Sequence, residues 1–351
     1  MTSSDAMNAV DGVRLLSRRP SVLYKVEQLA TEPAQDIATD GLMISGPGWP
    51  DRLKSLLDSL LLTERESLFA LRLGEPNPLP LPARTLLDRE RTDWFPEFLS
   101  KGRMVPHFQP IVDLRDGRVI GREALMRGKL GATELRGAEI VAAAEAHDAL
   151  YSFDMRARAT ALEVGLPLLP GGETLFINLD PRAVLDLDAS VRQTWPLVER
   201  FGTGSDRVCI ELISAERVTD RGLLKRLASV HRERGALISL DDLSGGADAH
   251  ACLDSLRPDM AKLKRQLTAG IEKSLPHQRL VAALVEHAKA EGCKLVAVGV
   301  ERVAEFEFMR DLGVDYGQGF YFGHPTARPM AVDARLFQPR VQLVQSVRQP
   351  A

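Results

Sequence analysis

Apolar positions fall into two alternating patterns from residue 104 onward. Short apolar runs of strand length predict strands at 104–112, 118–125, 174–179, 207–213, 236–240, 260–263, 294–300 and 314–322. Between them, apolar residues recur every three or four positions, predicting helices at 139–149, 153–164, 190–200, 221–234, 249–256, 277–291 and 303–312, with a leading helix at 85–99. Asp116-Gly117 marks a tight turn between the first two strands. Eight strands, most followed by a helix, predict an α/β fold: a parallel, TIM-like β/α barrel with its site at the C-terminal strand ends. An open, doubly wound sheet shares the alternation, but no glycine-rich dinucleotide turn follows the first strand.

Residues 1–84 do not share this rhythm. Residues 22–26 predict a short strand, and 42–49 is broken by glycines and a proline. Residues 51–62 have helical periodicity, with Leu53, Leu56, Leu57, Leu60 and Leu61 on one side. The proline-rich 76–82 reads as an extended spacer. The expected organisation is a small N-terminal region (1–84), α/β or mostly helical; a barrel at 85–330; and a tail at 331–351. Nothing in the first or last segment indicates a role.

Composition narrows the function classes. A 44% hydrophobic and 26% charged chain is that of a soluble globular protein, and a net charge of −3 gives no case for a nucleic-acid or membrane-surface binder. No run approaches the roughly 18 to 20 apolar residues needed to span a bilayer, and the N-terminus lacks the pattern of a secretory signal. Cys209, Cys252 and Cys293 lie far apart in apolar segments, which predicts reduced core thiols in a cytoplasmic protein rather than disulfides or a zinc site.

Candidate chemistry sits where polar residues interrupt strand ends. These are Glu123, with Arg127 four residues on, then Asn178, Glu211, the adjacent pair Asp241-Asp242, and Lys262. Any one of them alone reads equally well as a cap or a solvated charge, and a Glu–Arg pair at that spacing is most often a surface ion pair. Their recurrence at successive strand ends assembles an oxygen-donor site suited to Mg²⁺ or Mn²⁺.

These residues, with Phe108-Gln109-Pro110-Ile111-Val112, Glu123-Ala124-Leu125, Gly299-Val300-Glu301 and Gln318-Gly319-Phe320, resemble the EAL domain over residues 95–327. That family is a barrel that binds and hydrolyses cyclic di-GMP. The resemblance implies that Glu123, Asn178, Glu211 and Asp241 hold one cation and that Asp241 and Asp242 reach toward a second. It also implies ligand contacts from Gln109, Arg127, Asp180 and Gln318, and a Lys262 that orients the attacking water.

Four departures cluster at the chemistry. Val298 stands where the family has its general-base glutamate, and Lys264 where it has a metal-binding aspartate. The loop after the acidic pair reads Leu243-Ser244-Gly245-Gly246, and Glu211-Leu212-Ile213-Ser214 lacks the family's threonine and second glutamate. The rim then carries four carboxylates and two lysines, a sum of −2 where the family pattern gives −5. At most one cation is expected, with Lys264 substituting for the second and Glu301 left as a stand-in base. The expected function is a degenerate EAL protein: a cyclic di-GMP receptor or signalling interaction module with little or no hydrolysis. An active phosphodiesterase yielding linear pGpG, and a ligand-independent docking barrel, are the alternatives. A homodimer through the face near the loop after the acidic pair, and a signalling protein partner, are the expected associations.

Overall fold

A computed structural model describes residues 11–29, 41–202 and 204–338. The chain divides into two units, Met1–Gly102 with Ala138–Leu150, and Arg103–Gly137 with Tyr151–Ala351.

The first unit carries an antiparallel sheet of β1 (Gly12–Ser17), β2 (Leu42–Ser45), β3 (Leu68–Arg72) and β4 (Leu81–Pro82), in the order β2-β1-β3-β4. Alternation in β1 buries Val13 and Leu15 against Leu53, Leu56 and Leu57 of the helix Trp49–Asp58. Ala83, Leu86 and Leu87 of the helix Ala83–Arg91 join the same core. The strand expected at 22–26 is instead part of the helix Pro20–Leu29, in which Val22 and Val26, four apart, are the buried pair. The proline presets the first turn of that helix. The helix expected at 85–99 is two, Ala83–Arg91 and Phe95–Lys101. The second has Pro96 in its first turn, where the missing N–H costs nothing.

The second unit is a closed barrel. Its eight strands are β5 (Arg103–Asp113), β6 (Val119–Leu130), β8 (Thr174–Leu179), β9 (Val208–Leu212), β10 (Leu237–Leu243), β11 (Met260–Leu263), β12 (Lys294–Val298) and β13 (Tyr316–Gln318). β7 (Thr133–Arg136) hangs on the outer end of β6 as a hairpin that the hydrophobic pattern did not indicate. The barrel is not wholly parallel: β5 runs antiparallel to both β6 and β13. The cause is the turn at Asp116-Gly117, where Gly117 takes φ 77° and folds the first two strands into a hairpin.

Alternation sorts the strands into an outer and an inner face. Ile177, Leu179, Ile210, Leu212, Ile238, Leu240, Ala261 and Leu263 pack outward with the helices. Ile111, Phe176, Cys209, Met260 and Val296 fill an inner layer of their own. Two residues further along each strand lie Asn178, Glu211, Lys262 and Val298, so the same periodicity carries them to the barrel interior above that layer. At the seam, Phe108 and Thr326 exchange backbone hydrogen bonds of 2.7 and 3.2 Å, and Arg122 donates to Met330 O at 2.8 Å. The segment expected to be a tail from 331 packs on the barrel as far as Phe337, whose ring stacks on Phe322 at 5.9 Å. Among the described residues no helix is long and apolar enough to cross a membrane.

Candidate functional site: a buried lysine between carboxylates

Lys262 is the hub of the barrel interior. It is 1% exposed and donates to Glu123 Oε2 at 2.7 Å and to Glu211 Oε2 at 2.8 Å. Glu123 is further tied by Asn178 Nδ2, donating to its Oε1 at 3.0 Å, and by Gln318 Nε2, donating to its Oε2 at 2.7 Å. Gln318 Nε2 also donates to Gln109 Oε1 at 3.2 Å, and Gln109 Nε2 donates to Gly323 O at 3.1 Å. Six strands thus contribute to one hydrogen-bonded group at the heart of the barrel.

The charges follow from burial and pairing. Burial would lower the Lys262 ammonium, but Glu123, Glu211 and Asp241 outweigh it and hold the group above its ordinary range. Burial would raise Glu123, yet Lys262 and the amide donors hold it below the usual carboxylate range. Glu211 has only Lys262 to offset burial and the charges of Glu123 and Asp241, so it is pushed well above that range. Asp241 is pushed up to about 6 by burial, opposed by Lys262 and aided by Glu123 and Asp242. Burial likewise raises Cys209 well above its ordinary value, so its thiol stays protonated and is no ligand.

The chemistry of this donor set, though not its spacing around Lys262, suits one hard cation. Glu123, Glu211, Asp241 and Lys262 sum to −2, the carboxylates and the Asn178 amide offer oxygens, and the buried Glu211 Oε1 meets Lys262 Nζ at 2.6 Å without a well-aligned hydrogen bond. Among the described residues no three His, Cys, Asp or Glu side chains stand ready as a cation cage, and Lys262 Nζ lies within 2.7 Å of Glu123 and 2.6 Å of Glu211.

The vicinal acids occupy a β-bulge rather than a plain strand end. Pairing of β10 with β11 shifts register between Leu240 and Leu243, and Asp242 takes φ 67°. β11 ends at Leu263, and Lys264 follows it directly. It heads the next helical turn and lies 3.7 Å from Asp242 Oδ2 and 3.8 Å from Glu216 Oε2. Sequence reasoning missed Glu216, whose Oε1 accepts from Ser244 N at 2.7 Å. With it the rim holds five carboxylates and two lysines, a sum of −3 rather than −2. The signal was present: the glutamate missing after Glu211-Leu212-Ile213 reappears two positions later.

Other predicted residues are not drawn into the hub. Arg127 lies four residues beyond Glu123 on β6, and its Nη1 donates to Met126 O at 2.9 Å. Asp180 is buried, but its carboxylate accepts from Arg182 N, Nε and Nη2 at 2.9, 3.1 and 2.6 Å and caps a short 3₁₀ turn. Glu301 is exposed and paired with Arg265 at 2.6 Å. Val298 lies beside Gln318 in register and packs on the inner apolar layer, offering no donor or acceptor.

The sequence matches the EAL domain family over residues 92–325. PdeG of Escherichia coli, a probable cyclic di-GMP phosphodiesterase, is 24% identical over 251 residues, covering 70% of this chain and 49% of its own. BluF of the same organism, a blue light- and temperature-regulated antirepressor, is 21% identical over 215 residues, covering 61% and 52%. The chain spans about half or less of the length of such curated relatives. A standalone versatile EAL protein from Vibrio cholerae, solved in a cyclic di-GMP-bound form, shares the fold with a TM-score of 0.61 at 24% identity, covering 68% of this chain and 99% of its own. A family match over two thirds of the chain, on a closed barrel carrying these strand-end residues, identifies the chain as a member of the EAL domain family.

Proposed function

We propose that this chain is a degenerate EAL receptor for cyclic di-GMP, with little or no hydrolysis and at most one Mg²⁺ or Mn²⁺. The observation that carries the reading is the linked group of Lys262, Glu123, Glu211, Asn178 and Gln318 beside an aliphatic Val298. Glu123, Glu211, Asp241 and Asn178 are the groups that would hold the cation, which when bound supplies Lewis-acid polarisation of a phosphate oxygen. Lys262 fixes the carboxylates in place. Gln318 and Gln109 present amides at the same interior, and Arg127 supplies a guanidinium fork for a phosphate further along β6.

Neither the expected base position nor its nearby stand-in is ready to take a proton from an attacking water. Val298 cannot, and Glu301 is committed to Arg265. Loss of a general base costs about 10² to 10⁴ in rate. That supports a receptor over an active phosphodiesterase. The three buried cysteines are unpaired, in keeping with a cytoplasmic setting. Pairing with a second copy near the β10 bulge, and output through a signalling partner, complete the reading.

Titrating the full chain with cyclic di-GMP, with and without Mg²⁺, tests it, together with an incubation in Mn²⁺. Binding without appreciable pGpG is expected, and turnover at a rate typical of EAL enzymes overturns the receptor reading. Absence of binding in both titrations would favour a barrel that docks only protein, a reading that the antirepressor among its relatives keeps in view.

A further inference from the structure

The outer acid of the vicinal pair is held by a protein cation. Asp242 sits on the β10 bulge at φ 67°, a conformation that a non-glycine residue keeps only where its surroundings hold it. Here the surroundings are a chain of charges. Lys264 Nζ lies 3.7 Å from Asp242 Oδ2 and 3.8 Å from Glu216 Oε2. Glu216 Oε1 accepts from Ser244 N at 2.7 Å, and Lys264 N donates to Leu243 O at 3.0 Å. The bulge is therefore gripped at three consecutive residues, Asp242, Leu243 and Ser244.

Each half of the grip is placed by its own element. A left-handed turn at Ser214 (φ 52°) and the 3₁₀ turn Ala215–Arg217 bring Glu216 to the bulge. Lys264 is fixed at the head of the helical turn Arg265–Thr268, directly after β11. The Glu216 and Lys264 side chains are only 10% and 23% exposed, so solvent screens their attraction less than at an open surface. A divalent cation shared by Asp242 and Glu216 would have to displace an ammonium that its covalent tether keeps beside both carboxylates. A second cation does not fit here.

We propose that Glu216 and Lys264 form a built-in brace that fixes the Asp242 bulge and stands in place of a second divalent cation, so that the order of this segment is independent of added metal. Both act as positioning residues. For its consequence, a ligand affinity that carries no dependence on a second metal, the inference rests on the cyclic di-GMP reading. The brace itself does not.

Hydrogen exchange at the Ser244 amide of the ligand-free full chain tests it. Protection equal in EDTA and in Mg²⁺ is expected for the wild type. Glu216→Ala removes the acceptor and should speed exchange about tenfold, and Lys264→Met about threefold. Lys264→Asp should make protection depend on Mg²⁺. Wild-type protection that rises with Mg²⁺, or a Ser244 amide unmoved by both Glu216→Ala and Lys264→Met, overturns the brace. Circular dichroism identifies any variant that fails to fold, and the wild-type comparison of EDTA with Mg²⁺ decides without one. Failure to bind cyclic di-GMP would sink the proposed function and leave this exchange pattern standing.

Discussion

Lys262 shows how one residue can be both a cost and a requirement. An ammonium buried in a barrel is tolerable only because Glu123 and Glu211 meet it at 2.7 and 2.8 Å. Lys262→Met would leave those carboxylates facing each other without a counter-charge. A loss of about 3–5 kcal/mol in unfolding free energy is expected, measured by denaturant titration at neutral pH. The altered chemistry is testable at the same scale. Val298→Glu combined with Lys264→Asp restores a proton acceptor and removes the internal cation. Turnover of cyclic di-GMP in Mn²⁺ should then rise by about 10² over the wild type, with the single variants gaining less. No gain in the double variant would count against Val298 and Lys264 as the residues that set the level of turnover.

Between elements, two contacts make predictions independent of the site. Trp195 of the helix Leu187–Arg200 donates to His231 Nδ1 of the helix Arg221–Arg232 at 3.2 Å, deep in the outer packing layer. Burial, with Arg158 nearby, pushes His231 down to about 3, so the ring is neutral in the fold. An unfolded chain binds this proton near the ordinary histidine value of about 6.5. The histidine's contribution is therefore complete above that value and is lost as pH falls toward 3, at about 1.4 kcal/mol per pH unit. Acid unfolding of His231→Leu should lack that component, and an identical pH slope in the variant would refute it. At the C-terminal side, Phe337 stacks on Phe322 and meets the edge of Phe306 at 5.3 Å. Phe337→Ala should cost about 1–3 kcal/mol, at the lower end for a ring that is only partly buried.

At the level of the whole chain, the barrel and the N-terminal sheet each have their own buried cluster. A ligand that binds only the folded barrel stabilises it by mass action, about 2.7 kcal/mol at a hundredfold excess over Kd. Denaturation with and without cyclic di-GMP should show a shift of that size, absent in Glu123→Ala. A wild type that gains nothing at saturating ligand would remove the receptor reading.

The sequence by itself determined the barrel and its acidic interior. Period-two alternation places Asn178, Glu211 and Lys262 two steps beyond Phe176, Cys209 and Met260, and that spacing can be counted without coordinates. It also showed the substitutions Val298 and Lys264, because a change of residue type at a strand end is a local fact. Tertiary structure decided the rest. Residues 22–26 have strand-forming side chains, yet burying Val22 and Val26 on one side of a helix outweighs that preference. The pairing of Asp180 with Arg182 and of Glu301 with Arg265 is likewise visible only in the fold. Glu216 looks like a surface glutamate until the turn at Ser214 brings it to the bulge. Alternation within a strand is set by the backbone's own pleat, whereas the partner a charge finds depends on which loops meet, and only the closed barrel brings those loops together.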